Sequence, residues 1–370
     1  MFKKSKRKFK VVVGMSGGVD SAVAAALLLQ QGYEVIGVFM QFWFPAGETY
    51  GENRCCSLES FNQAKSVADQ LGIKIHKLNV GAEFKSKIVD NFLADYANFK
   101  TPNPCVACNK YIKFDLFLKK AMAIFEADYI ATGHYAQNTK LAYRQAGAKT
   151  PNGKIVHKLL RGKDKNKDQS YFLYNLDQKT LEHVLFPLGK YNKVKIRKIA
   201  KKLNLSVHAK PDSQEVCFVG KSHSSFLSRY LNLKPGDIIN DGGQVIGQHR
   251  GLQLYTIGQR KGIGLSGGPW FVVDINQEKN LLIVTNNPGN SKIFSPALKC
   301  HKLNWVVSEP KFPFKCEAQI RYRSKPEKCL VTKSGGVVLV KFVNPQKAVA
   351  SGQSVVFYKG QEVLGGGIIK

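Results

Sequence analysis

The sequence predicts an α/β protein that begins with a doubly wound parallel sheet, followed by two smaller β-rich domains. Strand-like and helix-like segments alternate over residues 11–131, and a glycine-rich loop joins the first strand to the first helix. From about residue 221, helical periodicity stops and short β-like runs separated by Gly and Asn take over. These observations predict domains over 1–220, 221–290 and 291–370, the last an antiparallel β-barrel.

The first strand–loop–helix unit carries the clearest chemical signal. A β-branched run at 11–13 leads into Gly14-Met-Ser-Gly-Gly-Val-Asp-Ser21, and a helix is predicted over 21–31. Backbone N–H groups of such a loop and the positive end of the helix bind phosphate, and the glycines let the backbone approach it. The loop lacks the Lys of a Walker A sequence and the spacing of G-x-G-x-x-G. The sequence therefore predicts a phosphate site of another kind.

The segments that follow continue the alternation. Strands are predicted over 33–40, 73–76 and 128–131, and helices over 58–71, 83–99 and 110–125. Ligands of open α/β sheets bind at the carboxyl ends of the strands, which places Met40, Gly133 and His134 near the phosphate loop. A core role for Met40 and a structural role for His134 stay open.

Three cysteines stand out in the first domain. Cys105 and Cys108 form a Cys-x-x-Cys at the mouth of the helix predicted over 110–125, where the helix N-terminus would stabilise a thiolate. A nucleophile, a metal or cluster ligand pair and structural thiols all remain possible interpretations. Zinc usually needs a second such pair, which the sequence lacks. The meaning of Cys217 depends on whether it faces the Cys-x-x-Cys.

The charge points to a polyanionic partner. The 370 residues include 56 Lys and Arg against 26 Asp and Glu, a formal net charge of +30. A predicted β-hairpin insertion over 140–176 carries four cations at 161–167 beside aromatic residues, which suits an RNA backbone and a stacked base, or else a solvated tip. A basic helix is predicted over 190–203, and Arg321-Tyr-Arg323 is predicted on one strand. No apolar run is long enough for a membrane span, and the basic segment 1–10 lacks the apolar region expected of a secretory signal.

Together these motifs resemble the tRNA-specific 2-thiouridylases (the MnmA/TrmU family) of the PP-loop ATP pyrophosphatases, over nearly the whole chain. The resemblance rests on the segments 14–21, 55–57, 101–104 with 108–109, 132–135, 167–171, 212–213 with 217–218, 255–262 and 321–323. It implies a Rossmann-like PP-loop fold and an ATP- and Mg²⁺-dependent sulfurtransferase. It also implies a bacterial cytoplasmic protein in preference to one of an organelle matrix.

The resemblance implies a site and a reaction. ATP would bind at Gly14, Met15, Ser16, Gly17, Gly18, Val19, Asp20 and Ser21, with Met40 and Gly133 near the adenosine. ATP would adenylate the C2 oxygen of the wobble uridine and release pyrophosphate. Cys217 would carry a persulfide, and Cys108 would attack it so that sulfur reaches C2, leaving a Cys108–Cys217 disulfide to be reduced. A cysteine desulfurase or a sulfur-relay protein would supply the sulfur.

The tRNA contacts follow from the same resemblance. They are Asn103, Pro104 and Cys105 around the target base, and His134, Lys167, Asp168, Gln169, Arg321, Tyr322 and Gln353 elsewhere. Cys105 stands where many members carry an Asp with an acid–base role, so its role stays open. One alternative is thiolation through a [4Fe–4S] cluster held by Cys105, Cys108 and Cys217, with one iron open to bind sulfide. Others are a different PP-loop adenylating ligase and a non-catalytic RNA-binding protein, against which the intact loop argues.

Overall fold

The computed structural model describes residues 8–45, 57–141, 155–212, 216–220 and 222–370. The motif residues Cys55, Cys56 and Ser213 and the tip of the predicted hairpin lie outside these ranges. None of the helices in the described ranges is long and apolar enough to cross a membrane.

The first part of the chain alternates strands and helices as predicted. Its elements are β1 (Lys10–Gly14), α1 (Val19–Gln30), β2 (Glu34–Gln41), α2 (Leu58–Leu71), β3 (Ile75–Asn79), α3 (Gly81–Phe84), a π-helical segment (Lys85–Val89), α4 (Asp90–Ala97), α5 (Pro104–Cys108), a second π-helical segment (Asn109–Leu116), α6 (Phe117–Phe125), β4 (Tyr129–Ala131), β5 (Ala136–Leu141), β6 (Val156–Arg161), α7 (Gln178–Glu182), β7 (Val184–Leu185) and α8 (Lys193–Lys202).

Five of these strands form a parallel sheet in the order β3-β2-β1-β4-β7, which confirms the predicted doubly wound fold. Successive residues of β1 face opposite sides of this sheet. Val11 and Val13 pack with α1 and with Ile196 of α8, whereas Val12 packs with Phe117 of α6. Helices therefore cover both faces, and the loop after β1 opens at the carboxyl edge of the sheet.

Two helix predictions differ from the structure at their ends. The helix predicted over 110–125 begins earlier, at Pro104, because the Asn103 side chain accepts a hydrogen bond from the Val106 N–H at 3.2 Å and proline suits the first helical position. The Cys-x-x-Cys consequently lies within helical structure and not before it. The helix predicted over 83–99 is α3, a π-helical segment and α4, from Gly81 to Ala97.

The second part of the chain is mostly β. Its elements are α9 (His223–Tyr230), β8 (Gly236–Ile239), β9 (Val245–His249), β10 (Phe271–Asn276), β11 (Leu281–Thr285), β12 (Phe294–Trp305), β13 (Phe314–Gln319), β14 (Glu327–Ser334), β15 (Val337–Lys347), β16 (Ser354–Lys359) and β17 (Glu362–Ile369). Helical structure does not stop at about 221 as predicted, because the Ser222 side chain caps α9 by accepting from the Ser225 N–H.

The predicted barrel is present. Strands β12-β15-β14-β13-β16-β17 form an antiparallel sheet that the β12–β17 pairing closes, around a core that includes Val331, Val340 and Phe357. The predicted insertion is a hairpin, β5–β6, but its β6 pairs with β17 and so extends the barrel's sheet to eight strands. Arg321-Tyr-Arg323 does not lie on a strand. It forms the turn between β13 and β14, with Arg323 at φ 65°.

Candidate active site

A cavity of about 290 Å³ opens beside the glycine-rich loop, at the carboxyl ends of β1, β2 and β4. We call it the loop cavity. Its walls include these predicted site residues: Gly14, Met15, Ser16, Asp20, Ser21, Met40, Pro104, Cys105, Cys108, Gly133, His134, Gln169 and Cys217. The structure thus brings the predicted nucleotide residues and all three predicted thiols to one enclosure.

The backbone of the loop leaves no room for side chains at two glycines. Gly17 has φ +70°, and a Cβ there would lie 2.2 Å from the Ser60 carbonyl oxygen. A Cβ on Gly133 would lie 2.9 Å from the Ser21 nitrogen. The Ser21 hydroxyl accepts from the Ser16 N–H at 3.2 Å and donates to the Gly18 carbonyl at 3.1 Å, which closes the loop over the start of α1. The loop is therefore held in one conformation at the edge of the cavity, next to the start of α1, where a helix N-terminus favours an anion.

Asp20 holds two partners that sequence reasoning did not identify. Its carboxylate accepts from the Tyr135 hydroxyl at 2.7 Å and from the Lys193 ammonium at 2.8 Å. Lys193 is 9% exposed, although the basic helix predicted over 190–203 suggested a surface that faces RNA. The signal available in the sequence was its place directly after Asn192, the N-cap of α8, where a side chain turns toward the preceding loop.

The Lys193 ammonium also lies 2.8 Å from Asp212, whose carboxylate is 2.6 Å from Lys167 and 2.9 Å from Arg197. Burial alone would raise the pKa of the Asp212 carboxyl, but its hydrogen bonds to Lys167 and Lys193 and their charges outweigh burial and lower the pKa to about 2. Asp212 is therefore ionised at neutral pH. It holds the predicted RNA residue Lys167 and the buried Lys193 together.

The three thiols take different positions around the cavity. Cys105 lies exposed in the first turn of α5, and Cys108 ends that helix one turn later with 8% of its surface exposed. Cys217 lies half-buried on the loop after β7 and α8, and it lines the same cavity. The structure thus places Cys217 and both cysteines of the Cys-x-x-Cys on the wall of one cavity. Within the described ranges, no group of three or more His, Cys, Asp or Glu side chains is arranged to hold a metal ion.

His134 is buried in the cavity wall. Its Nδ1 and the Thr132 hydroxyl are 2.7 Å apart, and its ring packs against Phe114 and Phe186. Burial, and to a smaller degree the charge of Lys113, hold the pKa of His134 well below 6.5. The imidazole is therefore neutral at pH 7 and offers a hydrogen-bonding group without a charge.

Lys113 also lines the loop cavity and was missed from the sequence. It is half-buried between the buried side chains of Ile112 and Phe114. In an α-helix, residues five apart are rotated by about 140°. The π-helical segment Asn109–Leu116 bonds residue i to i+5, which brings Lys113 to the wall that Cys108 occupies. Among the described residues, the Lys113 ammonium has no ion pair or hydrogen bond.

Of the remaining residues predicted to contact RNA, some bond to other parts of the protein and one is exposed. Gln353 donates to the Thr101 carbonyl at 2.8 Å, which ties the loop before α5 to the barrel. Gln169 accepts from the Tyr135 N–H at 3.0 Å. Asp168 accepts from the Gly162 N–H at 2.9 Å, from Ser170 and from Arg161, so it organises the loop that follows β6. Arg321 is exposed on its turn.

A larger depression of about 1140 Å³ lies between the loop after β6 and the barrel. We call it the basic groove. Its cationic and aromatic walls are formed by Arg161, Lys163, Lys165, Lys167, Tyr171, Lys190, Tyr322 and Arg323. Lys163 and Lys165 are exposed, whereas the Arg161 guanidinium is committed to Asp168 and to the Tyr358 ring. Tyr322 packs on Phe172 with ring centroids 4.4 Å apart.

Comparison with known families matches three models along the chain. Residues 9–221 match a "tRNA methyl transferase HUP domain", 224–286 a "tRNA methyl transferase PRC-barrel domain" and 295–369 an "Aminomethyltransferase beta-barrel domain". The first of these covers more than half of the chain.

Curated relatives match over nearly the full length. A protein of Carboxydothermus hydrogenoformans named tRNA-specific 2-thiouridylase MnmA is 48% identical, covering 98% of this chain and 97% of its own. Proteins of the same name from Clostridium perfringens (46% identity, 98% and 99% covered) and a Marinomonas species (44%, 97% and 90%) agree. Among solved structures, a 4-thiouridine synthetase–RNA complex with bound ATP aligns over 60% of this chain and 49% of its own, at 17% identity and a TM-score of 0.33.

Proposed function

The chain belongs to the tRNA-specific 2-thiouridylase family, and on that premise we propose that the loop cavity is where this ATP-dependent enzyme replaces the C2 oxygen of a tRNA wobble uridine by sulfur. One observation carries the proposal: a phosphate-binding loop and the thiols of Cys108 and Cys217 share one cavity of about 290 Å³. The descriptions of the family models speak of methyl transfer. A phosphate cradle beside thiols suits sulfur transfer instead, because phosphate activates an oxygen as a leaving group and a thiol can carry sulfur.

The first step is adenylation. Backbone N–H groups between Gly17 and Ser21 would hold the ATP phosphates, and Met40 and Gly133 would border the adenosine. Mg²⁺ would accompany ATP, and Asp20 is the carboxylate beside the loop that would hold it, since Mg²⁺ is bound through one or two carboxylates together with substrate phosphates. The C2 oxygen of the uridine attacks the α-phosphate, and pyrophosphate leaves.

Lys113 supplies a cation on the part of the cavity wall that Cys108 lines. Its half-buried ammonium has no ionic partner among the described residues and lies on the wall of Cys108. It is therefore suited to the α-phosphate, both during adenylation and when AMP departs. Neutral His134, oriented by Thr132, would offer a hydrogen bond to the target base without repelling Lys113.

The second step is sulfur transfer. The Cys108 thiolate attacks the Cys217-bound sulfur of a Cys217 persulfide, and the terminal sulfur is released to C2, where it displaces AMP. A Cys108–Cys217 disulfide results, which a thiol reductant returns to two thiols. A desulfurase or relay protein would load Cys217 from the open side of the cavity. The described residues do not assemble Cys105, Cys108 and Cys217 into a metal-binding group, so no step is assigned to an iron–sulfur cluster.

The RNA would lie along the basic groove. Lys163, Lys165 and Lys190 line it with Tyr322, which combines charge for phosphates with a ring for stacking. The target uridine must leave the groove to enter the loop cavity, and a single-stranded loop permits this at small unstacking cost. Gln353 would hold the loop at 101–104 in place for the incoming base.

A reconstituted reaction tests this proposal. Protein purified without oxygen is given unmodified tRNA, Mg·ATP, a cysteine desulfurase with cysteine to load the Cys217 persulfide, and a thiol reductant to reduce the disulfide. Pyrophosphate and 2-thiouridine are measured together with iron content. We expect the wild type to form both products, while Cys108→Ser and Cys217→Ser release pyrophosphate without thiouridine. Cys316→Ser, a half-buried barrel thiol, is the matched control and keeps both activities.

Three other outcomes would change the proposal. Thiouridine formed at the wild-type rate by Cys108→Ser and Cys217→Ser would remove the assigned thiol roles. Activity found only in iron-loaded protein would replace the persulfide route. Pyrophosphate without thiouridine in the wild type would indicate a different adenylating ligase.

A further inference from the structure

A continuous series of ion pairs joins the basic groove to the loop cavity. Lys167, which lines the groove, lies 2.6 Å from Asp212. Asp212 lies 2.8 Å from Lys193, and Lys193 lies 2.8 Å from Asp20, which lines the loop cavity. The proposed RNA site and the proposed ATP site are thus three charge contacts apart.

Lys193 is the shared member of this series. It is one buried ammonium between two carboxylates, so a stronger pull from Asp212 weakens its hold on Asp20. Its backbone is fixed, because the Lys193 N–H donates to the Asp164 carboxylate at 2.9 Å and Asn192 caps the helix. Only the flexible side chain is left to shift between the two carboxylates.

We propose that Lys193 and Asp212 are positioning residues that couple RNA binding at Lys167 to Mg·ATP binding at Asp20. The inference rests on the function proposed above. An RNA phosphate that pairs with Lys167 breaks the ion pair between Lys167 and Asp212. Asp212 then draws the Lys193 ammonium more strongly, and Asp20 becomes a better ligand for the Mg²⁺ that accompanies ATP. Each substrate thereby tightens the binding of the other.

The coupling is measured as a thermodynamic cycle. The Kd of Mg²⁺-bound α,β-methylene-ATP is determined with and without saturating unmodified tRNA, and the Kd of tRNA with and without the nucleotide. We expect each ligand to tighten the other by the same factor, at least about fivefold. In EDTA, the factor should fall to about one, because the effect acts through the metal ligand Asp20.

The Asp212→Asn variant should change the affinities for nucleotide and for tRNA in opposite directions, which a general loss of structure would not do. Lys193 would then pair with Asp20 alone, which weakens Mg·nucleotide binding measured by itself. Lys167 would lose its ion pair with residue 212 and could pair with an RNA phosphate instead, so the Kd of tRNA measured without nucleotide should fall. The coupling factor should approach one. Glu317→Gln is the control, because it makes the same charge change in the same groove at a residue outside the series of ion pairs.

The results separate this inference from the proposed function. A wild type that binds both ligands and forms thiouridine but shows no coupling would overturn the inference alone. The inference alone would also be overturned if Asp212→Asn, with an unchanged thermal unfolding curve, kept the wild-type coupling factor or bound both ligands more weakly. A wild type that binds neither ligand would overturn the proposed function and the inference together.

Discussion

The loop cavity and the basic groove are built in opposite ways. The loop cavity, about 290 Å³, is formed by a tight backbone turn together with side chains from several elements, among them His134, Cys108 and Lys113. The basic groove, about 1140 Å³, is larger and is lined by six Lys and Arg side chains, four of them from the segment 161–167. We expect an anion in the cavity to be bound by a few specific hydrogen bonds, whereas a polyanion in the groove is attracted by the combined charge of several cations. A single substitution in the cavity should therefore have a large effect, whereas each substitution in the groove should have a small effect that adds to the others.

The largest effect is expected at Gly17. Gly17→Ala places a Cβ 2.2 Å from the Ser60 carbonyl oxygen at φ +70°, so the loop must move. We expect ATP affinity to fall on the order of 100-fold, measured by calorimetry. Gly18→Ala, whose Cβ would approach nothing nearer than the Ser16 hydroxyl at 3.6 Å, should cost much less. Equal losses for the two variants would show that the Gly17 backbone is not what shapes the cavity.

Lys113→Gln should have the next largest effect. Removing the Lys113 ammonium, the only cation that lines the loop cavity among the described residues, takes away a charged hydrogen bond worth ~2 kcal/mol, or about 30-fold in the rate of pyrophosphate release. Lys113→Arg should recover part of the rate. Lys119→Gln, on the same helix but exposed and paired with Asp115, is the matched control. An unchanged rate in Lys113→Gln would remove Lys113 from the cavity's chemistry.

The charge state of His134 distinguishes the buried cavity from an exposed site. Because burial and Lys113 lower its pKa well below 6.5, His134 stays neutral as the pH falls from 7.5 to 6.5, where an exposed histidine begins to protonate. Its imidazole NMR signals, assigned by comparison with His134→Gln, should not move over that interval. A titration centred near 6.5 would contradict the burial argument.

The smallest effects belong to the groove. Lys163→Gln and Lys165→Gln should each raise the tRNA Kd by only a few-fold and reduce the slope of log K against log salt by about one. The double variant should show the sum. Lys279→Gln makes the same charge change at an exposed position that does not line the groove, and it should leave the slope unchanged. If one groove lysine carried most of the affinity, the contrast between the two regions would be wrong.

Prediction from sequence succeeded where structure depends on near neighbours. Helix α2 covers Leu58–Leu71 as predicted, because Ser57 caps its start and Gly72 ends it in the left-handed conformation. Strand β11 likewise covers Leu281–Thr285 as predicted. The start of α5 at Pro104 was missed even though its cap, Asn103, was visible, because the two prolines suggested a rigid loop.

It failed where a side chain's direction depends on distant partners. Lys193 was assigned to a basic surface and is instead buried against Asp20, 173 residues away. The pairing of the hairpin β5–β6 with β17 was not predicted, because it depends on a strand some 200 residues later. The turn containing Arg321 looked like a strand because its residue types suit one.

The sequence by itself determined the loop, the order of the elements and the family, because turns, caps and apolar periodicity act between residues a few positions apart. Only the tertiary structure decided that Cys108, Cys217 and Lys113 share one cavity, and that Lys193 stands between the two sites. The physical reason is that packing brings together groups far apart in the chain, and burial then sets their charge states and partners.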